Sequence, residues 1–568
     1  MPVADGLSAT PRKRAWWLTA LFATLSALAF ALSFPLSETF VAGWPLAFVW
    51  GGLLSASVWH APSARALALC VAPPFFVAYF AHQSWMMDVT ALGMPVLAAY
   101  LTMWTVVLAL VLRLLSGSAR DVRVPFALTL PVSLVAMEFL RGDLVCTGYA
   151  WFFTAHPLVE WESGSQIAAL GGGWLLSALA ALVSGAATDI ILFPRRRMLG
   201  AIFAVICVVA STLYGNHALI VAQEELAQTI AGEVNSPRRP SFLLVQTNLP
   251  MSNKLSWEPE AQIDDFISFA TLSLEGAARA REQHRSVDAV VWPETMLPGF
   301  GLEKDTLQNL KDGGYYPGFR YYDGMCDLAR RVGAPFIVGS PAYLALRLEN
   351  GRFAWDHQFN SAYLVDANGT HARTDKIFLT PFGETMPIIS NWDWLEQQLL
   401  AIGADGMTFD LDSADAPTRF VLKTTCGEIT VGVPICFEIT APWASRRIAF
   451  DGGTRAVSLL VNISNDGWFS ESLAGRRQHV QVAQLRAIEL ATPVLRCANT
   501  GMSASIDAQG RVRELLPPTR DGTLLVRPMC AQIVPLSALV GDGVAWCALI
   551  VTVVGSVAAL RKRRAMLG

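Results

Sequence analysis

The sequence predicts a multi-pass α-helical membrane domain, an α/β domain after it, and one further membrane helix at the end. The 568 residues are 53% hydrophobic and only 16% charged, whereas soluble domains average about 25% charged residues. The apolar residues fall into long blocks at both ends of the chain, around a middle of ordinary globular composition. The predicted domains are a seven-helix transmembrane domain (1–222), an extracytoplasmic α/β domain (223–531), and an eighth helix with a basic cytoplasmic tail (532–568).

Eight apolar segments are candidates for membrane spans, which need roughly 20 mostly apolar residues each. Seven of them lie in the N-terminal block and one in the C-terminal block. Their predicted limits are 15–34, 40–59, 66–87, 92–115, 124–140, 165–193, 199–221 and 533–560.

The basic residues of the short loops predict the orientation, because cytoplasmic loops carry an excess of Lys and Arg. With a cytoplasmic N-terminus, fourteen of these residues fall on the cytoplasmic side and only Arg141 on the other. The fourteen are Arg12, Lys13, Arg14, Arg65, Arg113, Arg120, Arg123, Arg195, Arg196, Arg197, Arg561, Lys562, Arg563 and Arg564. Seven crossings then put residues 222–532 outside the cytoplasm, which in a two-membrane bacterium is the periplasmic side of the inner membrane.

The middle block alternates between apolar runs and helical stretches, which predicts a single α/β domain. Because the runs are almost continuously apolar, we expect helices to cover both faces of the sheet. The segments "DANGT" and "DAQGR" predict turns that close hairpins. The candidate strands are 241–249, 288–294, 335–340, 361–369, 427–436, 456–464 and 493–501, and the main candidate helices are 259–282 and 476–491.

Composition argues against several classes of partner and cofactor. No basic cluster is interleaved with aromatic residues, so we expect no binding of nucleic acid. The nine cysteines show no CxxC or Cys/His spacing of the kind that binds a metal. We therefore expect neither a metal nor another cofactor.

Three residues in the middle block have the chemistry of acyl transfer. Cys436 closes a strand-like run, and a cysteine is a strong nucleophile only with a base or a cation nearby. Glu294 follows an apolar strand in "VVWPET", and Lys376 lies in a segment with few other charges. A carboxylate can take the proton of the thiol, and a buried lysine can stabilise an oxyanion. Singly, such a cysteine is usually buried core and such a glutamate is usually solvated or paired.

The three segments together resemble a known family. "WPE", "DK…PFGE" and "CFE" are similar to the catalytic signatures of the nitrilase superfamily, which implies an α-β-β-α sandwich with a Glu-Lys-Cys triad. With seven predicted spans before this domain and one after it, the chain resembles the membrane-embedded branch of that superfamily, the bacterial apolipoprotein N-acyltransferases.

The resemblance implies a function in lipoprotein maturation. That family transfers a fatty acyl chain from a phospholipid, here expected to be similar to phosphatidylethanolamine, to the α-amino group of the diacylglyceryl-cysteine at the N-terminus of apolipoproteins. By resemblance, Cys436 is the nucleophile that keeps the acyl group as a thioester in a ping-pong mechanism. Glu294 is the general base, and Lys376 stabilises the oxyanion.

Four further residues take expected roles from the same resemblance. Glu384 matches a second glutamate that positions the site, and Glu438 matches a glutamate that the family needs near the nucleophile. Trp257 matches a tryptophan on a mobile loop near the lipid entrance. Phe437 stands where the family commonly has tyrosine, so the hydroxyl of that tyrosine is absent here.

Two other functions remain open at this stage. A membrane-tethered amidase or nitrilase-type hydrolase would use the same three residues, with water as the acceptor. A seven-span receptor or sensor would use the middle block as an external ligand-binding domain, and the substitution Cys436→Ala would then leave its function intact.

Overall fold

A computed structural model describes most of the chain, and contacts between residues divide it into two compact units. The first unit contains residues 1–218, 472–481 and 540–568, and the second contains residues 219–471 and 482–539. The described residues are 9–36, 43–118, 121–122, 124–193, 198–233, 238–250, 258–381, 383–385, 411–470 and 472–567.

The first unit is built almost entirely from helices. In chain order they are α1 (Ala9–Ser33), α2 (Trp50–His60), α3 (Ala64–His82), α4 (Gly93–Ser116), α5 (Phe126–Phe139), α6 (Ala168–Leu192) and α7 (Met198–Gly232), followed by the C-terminal helix (Gly543–Leu567). Helix α7 continues past residue 218 into the second unit.

Six helices in the described part of the chain are long and apolar enough to cross a membrane, so the protein has the helices of a multi-pass membrane protein. They are Ala15–Ser33, Ala64–His82, Gly93–Ser116, Ala168–Leu192, Met198–Gly232 and Gly543–Ala565. The predicted count of eight is not confirmed.

The two predicted spans that fall short are interrupted by local backbone features. Within 40–59, α2 has only 11 residues, because Trp44–Phe48 form a separate 3-10 helix whose second residue is a proline. Within 124–140, α5 has 14 residues, and Leu140–Leu144 follow it as a π-helix. Both segments keep their apolar composition, so composition alone overestimated the length of the regular helix.

The membrane helices approach closely where their residues are small. A Cβ atom on Gly185 of α6 would lie 2.4 Å from the carbonyl oxygen of Phe126 in α5. In membranes, small residues let helix backbones come into van der Waals contact, which takes the place of the hydrophobic driving force. This glycine therefore fixes how α5 packs on α6.

The second unit is a sandwich of two six-stranded sheets. Twelve strands contribute: β1 (Phe242–Gln246), β2 (Ala289–Val291), β3 (Phe336–Leu344), β4 (His357–Asp366), β5 (Gly369–Asp375), β6 (Phe420–Thr424), β7 (Gly427–Gly432), β8 (Leu459–Ser464), β9 (Val494–Ala498), β10 (Ser503–Ile506), β11 (Val512–Leu516) and β12 (Gly522–Val526). The first sheet has the order β12-β1-β2-β3-β4-β5, and the second has the order β6-β7-β8-β9-β10-β11. In each sheet three central strands are parallel: β1, β2 and β3 in one, and β7, β8 and β9 in the other.

Each sheet packs against the other sheet on one face, so the expectation that helices cover both faces is wrong. Leu244 and Ile337 of the first sheet share one buried cluster with Val431 and Val461 of the second. The alternate residues of the first sheet pack instead on two helices, α8 (Pro259–Glu282) and α10 (Arg320–Val332). A short helix α9 (Lys304–Asp312) lies between them in the chain. A continuously apolar strand needs two covered faces, but composition does not reveal whether a helix or a sheet covers each of them.

All seven predicted strands overlap an observed strand, and both predicted hairpin turns are confirmed, between β4 and β5 and between β10 and β11. Five strands were missed. Three of them, β5, β6 and β11, alternate in burial or lie mostly exposed, and they carry charged residues. The other two, β10 and β12, have only four and five residues. Such strands lack the long apolar run that marks the central ones.

Candidate active site

Glu294 lies three residues beyond the end of β2, where its carboxylate is held by two donors. The side chain is 5% exposed. Its Oε1 accepts a hydrogen bond from Asn360 Nδ2 at 2.8 Å, and its Oε2 accepts one from the backbone N–H of Asn465 at 2.7 Å. The backbone of β3 passes so close that a Cβ atom on Gly339 would lie 2.6 Å from Glu294 Cα. The carboxylate is therefore fixed by the first sheet and by the end of β8 in the second.

Lys376 directly follows β5, and its side chain is fully buried. Its Nζ lies 2.6 Å from Glu384 Oε2 and 4.0 Å from Glu294 Oε1, and it donates to Thr380 Oγ1 at 3.4 Å. Burial by itself would lower the pKa of Lys376, but the carboxylates of Glu384 and Glu294 raise it by more than burial lowers it, so the net shift is upward. The lysine therefore stays a cation.

Glu384 is the carboxylate that compensates this buried charge. Besides the ion pair with Lys376, its Oε2 accepts from the backbone N–H of Thr380 at 2.8 Å and its Oε1 from Asn360 Nδ2 at 2.9 Å. Burial would raise the pKa of Glu384, yet the charge of Lys376 and these hydrogen bonds lower it overall. The single amide of Asn360 thus bridges Glu294 and Glu384 and sets their spacing.

Cys436 lies just beyond β7, at the first residue of a short 3-10 helix (Cys436–Thr440). Its φ of +51° is in the left-handed region, which non-glycine residues adopt rarely and mainly where the surrounding structure imposes it, often at functional sites. The side chain is partly exposed, whereas Cys497 on β9 is completely buried. This backbone presents the sulfur at a turn rather than within a strand.

The environment of Cys436 favours the neutral thiol in the resting protein. Burial and the charge of Glu294 raise the pKa of the thiol, and the opposing effect of Lys376 does not outweigh them. A cysteine in this state needs a base at the moment of attack. Glu294 and Lys376, whose side chains lie 4.0 Å apart, both act electrostatically on the thiol of Cys436.

Glu438 connects the segment after Lys376 with the segment before Cys436. Its Oε1 accepts from the backbone N–H groups of Ile377 at 2.6 Å and Phe378 at 3.0 Å. Its Oε2 accepts from the N–H of Ile435 at 2.7 Å. Since Ile377 follows Lys376 and Ile435 precedes Cys436, one buried side chain fixes the separation of the two reactive groups.

Phe437 packs its ring against Phe378, with ring centroids 6.0 Å apart, and is 8% exposed. The phenyl ring therefore fills an apolar position beside the nucleophile. Trp257 falls within 251–257, outside the described residues.

Sequence reasoning missed several polar residues of this site. Asn360 and Asn465 hold Glu294, and Asn462, Ser464 and Arg496 lie around Cys436. For Asn462 and Ser464, the segment "VNISND" contained a signal, because polar residues alternate there with apolar ones along the strand. A polar side chain on a buried strand is costly unless it is hydrogen-bonded, so such alternation is informative.

This arrangement can support chemistry at a carbonyl group. It combines a thiol, a carboxylate and a fixed cation, which are groups that covalent acyl transfer can use as nucleophile, base and oxyanion stabiliser. Within the described residues, no group of three or more His, Cys, Asp or Glu side chains is arranged to hold a metal ion.

Comparison with protein families finds two matches along the chain. Residues 246–529 match the carbon-nitrogen hydrolase family, which is half of the chain. Residues 23–186 match the apolipoprotein N-acyltransferase N-terminal domain. The first match contains every residue of the site, and the second contains helices of the first unit.

Curated relatives match over most of both chains. The apolipoprotein N-acyltransferase of Azotobacter vinelandii is 29% identical over 530 residues, which is 89% of this chain and 89% of that protein. The apolipoprotein N-acyltransferase of Geobacter metallireducens is 27% identical over 491 residues, which is 84% of this chain and 82% of that protein. Among solved structures, the NitFhit protein of C. elegans is a distant match, with a TM-score of 0.33 and 19% identity over 54% of this chain and 62% of its own.

Glu438 should make the stability of the protein depend on pH. Burial raises the pKa of its carboxyl to about 7 from 4.5, despite the backbone donors and Lys376. Because the folded protein holds this proton more tightly, the stabilising contribution is complete below about pH 4.5 and is lost as the pH rises through about 7. The melting-temperature advantage of the wild type over Glu438→Gln should therefore shrink between about pH 5 and about pH 8.

The control is Glu428→Gln, at an exposed position of β7. This variant should follow the wild type at every pH. Parallel pH profiles for the wild type and Glu438→Gln would show that Glu438 does not titrate in this range.

Proposed function

Because this chain belongs to the carbon-nitrogen hydrolase family, in its apolipoprotein N-acyltransferase branch, we propose that it takes a fatty acyl chain from a phospholipid and transfers it to the α-amino group of the diacylglyceryl-cysteine of apolipoproteins. The observation that carries this proposal is the fully buried Lys376 cation, with Glu294 and Glu384 beside it, acting on the partly exposed thiol of Cys436. The first unit has helices that are long enough to cross a membrane, which would place the protein where lipid substrates are found.

In the first half of the reaction, Cys436 forms a thioester. Its thiol proton passes to the Glu294 carboxylate, and the sulfur attacks the ester carbonyl of the phospholipid. The ammonium of Lys376 stabilises the oxyanion of the tetrahedral intermediate. When the intermediate collapses, the departing lysophospholipid alkoxide takes the proton from Glu294, and the acyl group stays on the sulfur.

In the second half, the lipoprotein amine attacks the thioester. Glu294 accepts a proton from the amine, and Lys376 again stabilises the oxyanion. Collapse releases the N-acylated lipoprotein and a thiolate, which recovers its proton from Glu294. The two half-reactions share one covalent intermediate, so the kinetics are ping-pong.

The supporting residues keep this geometry in place. Glu384 keeps Lys376 charged, and Glu438 fixes Lys376 relative to Cys436. Phe437 contributes an apolar ring against Phe378 where a tyrosine is usual, so no hydroxyl of its own takes part. Trp257 keeps its proposed role at the lipid entrance.

The finer topology that we propose has eight crossings, with α2 and α5 as short ones, in a bacterial inner membrane. With eight crossings the basic residues divide fourteen to one in favour of the cytoplasmic side; with only the six long helices they divide ten to five. The stronger bias favours eight. Either count places an odd number of crossings before the catalytic domain, which is therefore on the periplasmic side.

A membrane-tethered amidase would use the same three side chains with water as the second acceptor, and the family match to carbon-nitrogen hydrolases leaves that reaction as the alternative. It predicts release of free fatty acid or hydrolysis of a small amide without an acceptor amine. A receptor or sensor would not need a lysine buried between two carboxylates, so this arrangement argues against that function.

Cys436 should become acylated by phospholipid alone. With donor labelled in its acyl chain and no lipoprotein, the label should stay on the protein, be released by neutral hydroxylamine, and be absent from Cys436→Ala. Glu294→Gln should acylate at least about a hundredfold more slowly, because the thiol would keep its proton. Cys497→Ala, at the buried cysteine of β9, is the matched control and should retain the label. Label that persists in Cys436→Ala would disprove the assignment of the nucleophile.

Lys376 should tolerate no replacement. Lys376→Ala should lose roughly 3 kcal/mol or more of transition-state stabilisation, as for a lost oxyanion donor. Lys376→Arg should fail too, because the planar guanidinium is larger and cannot replace a point charge in a closed site. Turnover of labelled donor into a lipopeptide acceptor measures both. Lys423→Arg, at an exposed position of β6, should retain full turnover, whereas near-normal turnover of Lys376→Arg would contradict the closed-site geometry.

Reporter fusions should separate the two topologies. A reporter that is active only in the periplasm should be active after about residue 235 and inactive at the C-terminus. The same reporter after Pro62, between α2 and α3, should be inactive if α2 crosses the membrane and active if only the six long helices cross. An inactive fusion near residue 235 would overturn the proposed orientation.

A further inference from the structure

Strand β8 carries a row of polar residues beside the nucleophile. Asn462 and Ser464 lie two residues apart on β8, so their side chains point to one face of the sheet, and Asp466 follows as the first residue of a short 3-10 helix (Asp466–Phe469). All three are at most 1% exposed. A buried polar row of this kind persists only when its members are hydrogen-bonded.

A single guanidinium on the neighbouring strand β9 anchors both ends of this row. Arg496, itself 0% exposed, donates from Nη1 to Asn462 Oδ1 at 2.5 Å. Its Nη2 lies 2.6 Å from both carboxylate oxygens of Asp466. Asn462 in turn donates from Nδ2 to the carbonyl oxygens of Pro434 at 3.0 Å and of Cys436 at 3.3 Å. The row therefore holds the backbone on which the nucleophile sits.

The middle member, Ser464, reaches the sulfur itself. Its Oγ lies 3.6 Å from Cys436 Sγ and 2.8 Å from Asp466 Oδ1. A serine hydroxyl has one proton, so it can donate to the sulfur or to the carboxylate but not to both at once. Asp466 keeps its hydrogen bonds from Arg496 in either case, so turning the hydroxyl away does not leave the carboxylate without a donor.

Building on the proposed function, we propose that Ser464 is a further catalytic residue, which turns its hydroxyl from Asp466 to Cys436 Sγ when the thiolate forms. The thiol proton goes to Glu294, as before. The Ser464 proton stays on Oγ throughout, and only its direction changes. When the sulfur becomes part of a thioester it loses its negative charge, and the hydroxyl returns to Asp466.

The buried Cys497 shows how a cysteine without this role is accommodated. Its Sγ lies 3.4 Å from the carbonyl oxygen of Val245 and 3.3 Å from that of Val291, so the thiol can act only as a donor towards them. Carbonyl oxygens cannot stabilise a thiolate. Cys436 instead has the hydroxyl of Ser464 beside it, which can accept a hydrogen bond from a thiol and donate one to a thiolate. A nucleophile that alternates between these two forms requires such a neighbour.

Alkylation of Cys436 tests this role without any lipid substrate. The full-length protein in detergent, with no acyl donor or acceptor, is treated with iodoacetamide at several values between about pH 7 and about pH 9.5, where the rate follows the thiolate fraction. Modification of the Cys436 peptide is followed by mass spectrometry in the wild type, in Ser464→Ala and in Ser445→Ala. Ser445 is a matched control, because its equally buried hydroxyl donates to the carbonyl oxygen of Glu438 at 3.2 Å and not to the sulfur.

Loss of a hydrogen bond to a charged sulfur should slow alkylation of Cys436 in Ser464→Ala by roughly tenfold to a hundredfold at every pH, as parallel lines in a plot of log rate against pH. Ser445→Ala should stay within about twofold of the wild type. Equal rates in Ser464→Ala would overturn the proposal. So would faster alkylation, which is the expected result if the substitution merely loosens or unfolds the site and frees the thiol from burial.

The alkylation assay, compared with the acylation assay above, separates this inference from the proposed function. If the wild type is never acylated by phospholipid and Ser464→Ala still slows alkylation, the acyl-transfer proposal fails and the role of Ser464 stands. If phospholipid acylates the wild type and alkylation is unchanged in Ser464→Ala, the reverse holds.

Discussion

The buried ammonium group of Lys376 is the constraint on which the rest of the catalytic domain depends. Removing a charge from water costs several kcal/mol unless an opposite charge and hydrogen bonds compensate for it. Glu384 supplies the nearest opposite charge, at 2.6 Å, and Glu294 supplies a second at 4.0 Å. Each carboxylate in turn needs donors, which Asn360, Thr380 and Asn465 provide. The buried charge of Lys376 therefore requires several buried polar groups around it, and no single strand could supply all of them.

These groups come from both sheets of the sandwich. Glu294, Asn360 and Lys376 lie on or beside strands of the first sheet, whereas Cys436 and Ser464 belong to the second. The apolar cluster between the sheets holds them at a fixed separation, and Glu438 adds a direct connection across the site. The position of the Cys436 thiol relative to the Lys376 ammonium group therefore depends on how the two sheets pack.

The helical unit follows a different physical rule. Residues that face lipid need only be apolar, so composition locates the membrane segments but does not tell where a regular helix begins and ends. The 3-10 helix before α2 and the π-helix after α5 both occur inside segments that are apolar enough to be read as continuous spans. Composition is equally silent about which helices pack closely, such as α5 and α6, where Gly185 approaches the backbone of Phe126 at the start of α5.

The sequence by itself determined the two-part organisation, the central strands and the hairpin turns, and it predicted three reactive residues, because each depends on local chemistry. Apolar runs mark membrane helices and buried strands, and a glutamate, a lysine and a cysteine after such runs indicate a reaction. Tertiary structure alone decided that a second sheet covers the first and that, within the described residues, six helices have full span length. It also decided that Asn360, Asn465 and Ser464 reach the reactive groups. Their contacts join residues that are 66, 171 and 28 positions apart in the chain, and no local pattern encodes a distance between segments that meet only when the strands pair into sheets and the two sheets pack.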